Sequence, residues 1–346
     1  MERKNKITYT MIETAIDKGI RDIKDNSNRG IRNLVDLGTH FSTGPFQKEF
    51  FIMAQQMLNN DNSPYYKLVN QIFQNTDSCI LKRFGINLGY NSWIYGAEKI
   101  KKSKKNNGYN VPWALIFDFI HNTKDILSIK EIETILISGE LMGIYCGMFF
   151  VNINKEQLNS LLNMLKLHKN SSYFIFFKPD LLTDGIAKVL INAGNIVPML
   201  AMDIQNYIIC RNAADILIKN KCLYGIYNMC SDFNFEYLIS DEYLKQVEFL
   251  HCAFAFYIKH GLNETENKER FSKFIQTSKS AIKYPFFIFD FYEDYAAISR
   301  MISTKEGFMA IKSNGSIEFS LEDTLDKGIN LRTQSLNSIL KNYTKD

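Results

Sequence analysis

Seven short apolar segments, spaced by about thirty residues, constrain this chain more than any other feature of its sequence. They are "WALIFDF", "IYCGMFFV", "YFIFFK", "IVPMLAM", "LYGIYNMC", "CAFAFYI" and "PFFIFDF". Amphipathic helical patterns, such as "KEQLNSLLNMLKLH", lie between them. Strands buried on both faces and joined by helices are typical of parallel sheets, so the chain is predicted to be α/β. We expect a full or partial (β/α) barrel of the TIM type, which the even spacing favours over an open, doubly wound sheet.

The chain is expected to have three parts. Residues 1–107 are predicted to be all helical, because their apolar residues recur at steps of three and four, and Ser63 is a candidate N-cap. The segment "NNGYN" marks the start of a barrel at 108–300. Residues 301–346 form an extension, in which "GFMAIKSNGSIEFS" predicts a β-hairpin with a type I′ turn at Asn314-Gly315. The aromatic segment "GYNSWIYGA" either packs on the barrel or presents a docking face.

Composition narrows the classes of partner. The net charge of +4 is small, and no aromatic residues interleave with the lysines of "EKIKKSKKNNG", so nucleic acid is not predicted as a partner. The apolar runs are shorter than the roughly 20 residues of a membrane span, and no signal peptide is recognised; we therefore expect a cytoplasmic protein that does not bind membranes. The six cysteines are scattered without a CxxC pair, which predicts reduced core thiols and no metal site.

Candidate binding residues follow from the predicted strands. In parallel α/β folds, functional groups lie on loops at the carboxyl ends of the strands. The resulting candidates for the barrel mouth are Asp118, His121, Asn152, Lys178, Asp203, Asp290 and Asp294. Further polar residues at these ends are Asn154, Asp180, Asn228, Asp232, Lys259, His260 and Glu293. Asn154 and Asp180 are predicted to be helix caps. The carboxylates at 290, 293 and 294 could serve a hard metal ion or acid/base chemistry, or could simply be exposed loop residues.

The order of these elements resembles a known family. From "NVPWALIFD" through "FFIFDFYEDY" to the hairpin "AIKSNGSIEFS", the chain is similar to bacterial radical S-adenosylmethionine (radical SAM) proteins that carry a cysteine-containing carboxyl-terminal extension. The similarity covers most of residues 110–340. It implies a barrel of the radical SAM kind. In that family, a Cys-x-x-x-Cys-x-x-Cys loop after the first strand holds a [4Fe–4S] cluster, which binds SAM.

The sequence departs from the family at its cofactor motifs. The first loop is "FIHNTKDIL", without a cysteine, and "VNIN" at 151–154 stands where the family has Gly-Gly-Glu-Pro. "FKPD" at 177–180 replaces Thr-Asn-Gly-Thr. The two extension cysteines correspond to Ser320 and to a position in "ISRMIS". Cluster iron is held by cysteine thiolates, so we expect neither the cluster nor SAM to be bound as cofactors. No catalytic residue of the family can be carried over to this chain.

Three functions remain open at this point. The first is a cofactor-free pseudoenzyme: a binding, regulatory or partner subunit for an active relative or a substrate protein. The second is an enzyme of another class, which would use the polar barrel mouth with a small molecule or a divalent ion. The third is an active radical SAM enzyme with unusual cluster ligands. The missing cluster motif favours the first of these.

Overall fold

The computed structural model describes residues 3–41, 45–120, 125–281, 283–303, 308–319 and 328–344. The chain divides into two compact units, each assembled from several stretches of sequence. Unit 1 comprises Met1–Lys82, Leu182–Ala187 and Met199–Asp294, and unit 2 comprises Arg83–Leu181, Lys188–Pro198 and Tyr295–Asp346. The boundaries between the three predicted parts, after residues 107 and 300, remain predictions.

The amino-terminal part is helical, as predicted. Its elements are α1 (Arg3–Asp25), α2 (Ser27–Phe41), α3 (Pro45–Leu58), α4 (Pro64–Asn75), α5 (Ser78–Gly85), a π-helical segment (Ile86–Gly96) and α6 (Ala97–Asn107). Ser63 caps α4, because its hydroxyl accepts a hydrogen bond from the Tyr65 N–H at 3.4 Å. No helix in the described part of the chain is long and apolar enough to cross a membrane.

Strands and helices alternate in the rest of the chain. The first half contains β1 (Leu115–Phe119), α7 (Ile129–Met142), β2 (Cys146–Val151), α8 (Lys155–Leu165), β3 (Ser172–Phe177), a 3₁₀ turn (Pro179–Leu181), α9 (Asp184–Ala193) and β4 (Ile196–Ala201). The second half contains α10 (Tyr207–Lys219), β5 (Gly225–Cys230), α11 (Phe235–Leu238), α12 (Asp241–Phe249), β6 (Phe254–Lys259), α13 (Thr265–Ser280), β7 (Phe287–Asp290) and α14 (Phe291–Ser303). The chain ends with β8 (Ala310–Lys312), β9 (Ile317–Glu318) and α15 (Leu336–Tyr343). All seven predicted strands are present.

Each unit contains parallel strand pairs. In unit 2, β3, β2 and β1 lie side by side in parallel, and β8 adds a further parallel strand next to β1. Strand β9 then pairs antiparallel with β8. In unit 1, β5, β6 and β7 form a parallel row, and the Met199–Ala201 part of β4 pairs with β5. The pattern is the mostly parallel α/β sheet that the spacing of the apolar segments predicts.

The hairpin between β8 and β9 differs from its predicted turn. A type I′ turn needs positive φ at both central residues. Gly315 has φ 86°, whereas Asn314 is not among the residues with positive φ. The Gly315 N–H donates to the Lys312 carbonyl at 2.9 Å, and the Lys312 N–H donates to the Ser316 carbonyl at 2.9 Å. The loop therefore has three residues with the left-handed glycine last, and the prediction of a type I′ turn is wrong.

The aromatic segment "GYNSWIYGA" packs within unit 2. It lies in the π-helical stretch, where Tyr90 is buried. Trp93 meets Trp113 edge-on at 6.4 Å between ring centroids, and Tyr95 lies 5.9 Å from Tyr145. The structure therefore supports the interpretation that this segment packs within the protein over the one that it presents a docking face.

Three buried asparagines hold the loop between α8 and β3. The Asn195 amide donates to the carbonyls of Leu165, His168 and Ser171 at 3.0–3.3 Å. Asn87 donates to the carbonyls of Lys169 and Ser171, and Asn91 donates to that of Asn170. Buried carbonyls need such partners, because water cannot reach them. The loop that leads into β3 is thereby fixed by side chains instead of by regular secondary structure.

We predict that Asn195→Ala lowers the free energy of unfolding by about 2 kcal/mol, because buried carbonyls lose their donor. Urea denaturation followed by circular dichroism measures this change. The matched control is Asn159→Ala on the exposed side of α8, which should change the free energy of unfolding by about 0.5 kcal/mol or less. Equal unfolding midpoints for the two variants would show that the amide contacts do not stabilise the fold.

Candidate functional site

An ion-pair cluster lies at the carboxyl end of β1. Asp118 on β1 stands opposite Lys312 on β8 in the parallel register. The Lys312 ammonium donates to Asp118 Oδ2 at 2.7 Å and lies 2.9 Å from Glu318 Oε2 on β9. We call Asp118, Lys312 and Glu318 the β1–β8 cluster. It joins the first predicted strand to the carboxyl-terminal hairpin.

The cluster is on the face of the sheet that α7 does not cover. Leu115 packs toward Gly139 of α7, and alternation places Asp118 on the opposite face from Leu115. Phe150 on β2 is the register partner of Asp118, and its ring stacks on Phe176 at 4.1 Å between centroids. An aromatic layer thus adjoins the ion pairs.

The electrostatics of Lys312 keep it charged. Burial by itself would lower the pKa of this lysine, but the hydrogen bonds to Asp118 and Glu318 outweigh that effect and raise the pKa above its ordinary value. The Lys312 side chain is 30% exposed and that of Asp118 is 23% exposed, so the pair is only partly screened by water. At neutral pH the end of β1 therefore carries a fixed ammonium group.

The other candidates in unit 2 are at or near the surface. Asn152 is exposed, and its amide donates to the Ile120 carbonyl at 3.3 Å. Lys178 is exposed at the end of β3. His121 and Ser320 lie outside the described residues. The structure brings neither Asn152 nor Lys178 into the β1–β8 cluster through any described hydrogen bond or ion pair, and their role in binding stays a prediction.

Of the two predicted caps, one is confirmed. Asn154 caps α8 in a capping box, in which its side chain accepts from the Gln157 N–H at 2.9 Å. Asp180 lies in the 3₁₀ turn instead of at a helix start. The Thr183 hydroxyl accepts from the Ile186 N–H at 3.2 Å and so takes the capping role for α9. The prediction for Asp180 is wrong because the chain makes one extra turn before the helix.

In unit 1, Asp290 is paired with Lys259. Asp290 is 2% exposed, and its carboxylate lies 3.1 Å from the Lys259 ammonium and also accepts from the Glu293 N–H at 3.3 Å. The register partner of Asp290 is Tyr257, whose ring packs against Phe271 of α13. Paired residues on neighbouring strands point to the same face of the sheet, so Asp290 lies on the face that α13 covers. This carboxylate is both an ion-pair partner and a cap for the first turn of α14.

The remaining carboxylates of unit 1 also have partners. Asp294 accepts from the Lys279 ammonium with both oxygens at 2.6 Å, yet burial is the larger effect and raises the pKa of Asp294. Asp203 accepts from the backbone N–H groups of Gln205 and Asn206 before α10. Asp232 accepts from the Asn263 N–H at 2.9 Å. Each of these carboxylates thus has a hydrogen-bond or ion-pair partner within the protein.

Two further polar candidates of unit 1 are Asn228, which is buried, and His260, which is exposed. Asn228 is buried on β5 and accepts a hydrogen bond from the Tyr243 hydroxyl. His260 is exposed just after β6.

The thiols do not provide a ligand set for iron. Cys79 is exposed, and the other cysteines are buried: Cys146, Cys210, Cys222, Cys230 and Cys252. Burial raises the pKa of Cys210, Cys222 and Cys230 to about 12 and that of the other two still further. Among the described residues, no three His, Cys, Asp or Glu side chains are grouped so that they could hold a metal ion. The side chains that the structure describes thus do not fit a [4Fe–4S] cluster, and the expectation that none is bound stays a prediction.

Sequence reasoning missed Lys312 and Glu318. Both belong to the predicted hairpin, but the predicted two-residue turn would place them on opposite faces of it. The three-residue loop pairs Lys312 with Ser316 and so brings Glu318 to the same face. The sequence gives no sign, however, that β8 pairs in parallel with β1, about 190 residues earlier, so their meeting with Asp118 could not be anticipated.

Comparisons with known proteins support the fold. No family model matches the chain, and no curated protein matches it. The crystal structure of Streptococcus suis SuiB matches with a TM-score of 0.52 and 14% identity, over 91% of this chain and 81% of SuiB. SuiB bound to the precursor peptide SuiA matches with a TM-score of 0.52 and 12% identity, over 70% of this chain and 68% of SuiB. At such identities the likeness shows the fold alone: a mostly parallel α/β fold with a helical amino-terminal region, similar to that of SuiB.

We predict that Lys312→Met lowers the free energy of unfolding by about 1 kcal/mol, because Asp118 loses its partner in a half-buried site. The contribution of Lys312 should be complete below pH 10.5, the ordinary pKa of lysine, and should be lost as the pH rises through the raised pKa of the folded state. Urea unfolding of wild type and variant across this pH range measures the difference. Lys102→Met, at an exposed position of α6, is the control. A difference that does not shrink in alkali would rule out the ion pair as its source.

We predict that iodoacetamide modifies Cys79 in the native protein and leaves the five buried thiols unmodified, because alkylation needs an accessible thiolate. Intact-mass spectrometry should show one adduct per chain at neutral pH, and all six thiols should react after denaturation. Cys79→Ser should abolish the native adduct. Rapid native modification of Cys146, Cys210 or Cys230 would contradict the burial of these thiols.

Proposed function

We propose that this chain is a radical-SAM-like protein that acts without an iron–sulfur cluster, as a binding, regulatory or partner subunit instead of a radical catalyst. In this proposal the parallel strands form a full or partial barrel. The scaffold serves to present surfaces to a partner.

The observation that carries the proposal is the Lys312–Asp118 ion pair at 2.7 Å. The family resemblance assigns the loop after β1 to the cluster, so the carboxyl end of β1 is where electron transfer to SAM would begin. In this chain that end holds an ammonium group, which is protonated at neutral pH and cannot coordinate iron. The cysteine sulfurs that could act as ligands are buried in the core or, at Cys79, lie on α5.

The proposed partner is a protein or a peptide. SuiB is described in complex with a precursor peptide, and the likeness to that complex covers 70% of this chain. We propose that this scaffold likewise engages a polypeptide, either a substrate protein or an active relative that supplies the chemistry. The alternative, an enzyme of another class at the polar strand ends, is less favoured because Asp203, Asp290 and Asp294 are already bound to backbone or lysine groups.

The test is anaerobic reconstitution with iron and sulfide, followed by assays of bound iron and sulfide and by the absorbance spectrum. We expect no stoichiometric iron and no cluster absorbance, because thiolate ligands are lacking. Calorimetric titration with SAM follows separately, since the adenine end of SAM could bind without iron. A brown protein that holds near-stoichiometric iron and sulfide would overturn the proposal.

The partner half of the proposal has its own readout. The affinity-tagged chain, expressed in its source cells, should copurify with a defined polypeptide, and mass photometry should show a complex heavier than the 40.1 kDa chain. Recovery of the isolated monomer alone would contradict a partner role. The matched variant is Lys312→Met, which should leave the complex intact if the β1–β8 cluster has a structural role only.

A further inference from the structure

A solvent-open cavity of about 370 Å³ lies beside α13 in unit 1, and none of the candidate residues considered above lines it. Five of its lining residues follow one another at helical spacing, so they share one face of α13: Arg270, Lys273, Phe274, Thr277 and Ser278. Ile239, Lys283 and Tyr284 complete the lining. Cavities of this volume accommodate compact small molecules.

The lining carries positive charge that a ligand can use. Arg270 is paired with Glu236, and Lys283 lies 3.4 Å from Asp241. Both carboxylates are well exposed, with 67% and 79% of their side-chain surface accessible, and exposed pairs contribute little to stability. An anion with more negative charge can therefore compete for these cations. Lys273 is exposed and has no ion pair with any described carboxylate.

The same cavity offers aromatic surface. The Phe274 ring is held against Tyr257 at 5.7 Å, and Tyr284 is stacked on Phe286 at 5.4 Å between centroids. The Lys283 ammonium lies 5.1 Å from the centroid of the Tyr284 ring. These rings are fixed by their neighbours, so a flat ligand body could pack on them at little cost in side-chain entropy.

We propose that this cavity is a binding site for a small phosphate monoester with a flat, apolar body. The phosphate has three acceptor oxygens, which suit the separate donors of Arg270, Lys273 and Lys283 better than the two oxygens of a carboxylate. The hydroxyls of Thr277 and Ser278 add two further donors at the same helix face. The body of the ligand packs between Phe274 and Tyr284. This inference does not depend on the proposed function, because it concerns neither the cluster nor the strand ends.

The experiment is calorimetric titration of the full chain with phenyl phosphate, compared with inorganic phosphate and with phenol. We expect saturable binding of phenyl phosphate that is tighter than that of inorganic phosphate, and no saturable binding of phenol. Lys273→Gln should weaken the binding of phenyl phosphate about tenfold, which is the effect of one charge-assisted hydrogen bond. Tyr284→Leu should weaken phenyl phosphate and leave inorganic phosphate unchanged.

The matched control is Lys268→Gln, which removes the same charge from an exposed position of α13 outside the cavity lining. It should leave the affinity for phenyl phosphate unchanged. Circular dichroism of each variant establishes that it is folded before titration. Absence of saturable binding to wild type would overturn the proposal. Equal weakening by Lys268→Gln and Lys273→Gln would also overturn it, because it would show general charge attraction. Equal affinities for phenyl phosphate and inorganic phosphate would contradict the proposed packing of an apolar body on the aromatic rings.

Discussion

The parallel pairing of β8 with β1 is the constraint on which the candidate site of unit 2 depends. A strand that joins the sheet directly beside β1 satisfies backbone groups that would otherwise lie at an open edge. The pairing also sets the register in which Asp118 faces Lys312, and the hairpin then returns Glu318 to the same face. The three charged groups therefore meet because of backbone hydrogen bonding between distant segments.

Most of the fold could be predicted from local pattern. The seven apolar segments became strands and the amphipathic stretches became helices, because burial of alternate or periodic side chains acts within a single element. Local capping chemistry was equally readable at Ser63 and Asn154. The turn at Asn314-Gly315 was not, because the dipeptide permits a type I′ turn without excluding the three-residue loop that forms.

The candidate site was less predictable, for a physical reason. Strand ends give the sequence positions of polar groups, but the direction of each side chain depends on which face of the sheet a helix covers. Asp118 is on the face opposite α7, whereas Asp290 is on the face that α13 covers. Their partners, Lys312 and Lys259, come from the hairpin and from strand β6, and no local pattern identifies these long-range contacts.

The three-residue loop of the hairpin has a consequence for how the chain can vary in length. Side chains alternate between the two faces along a strand. A single residue inserted in the segment 308–312 would therefore turn the Lys312 ammonium toward the opposite face and bring Ile311 beside the Asp118 carboxylate. The hairpin thus tolerates changes in pairs of residues more readily than single ones. Insertions of one residue would be absorbed only within the loop at Gly315, where the backbone already leaves the regular ladder.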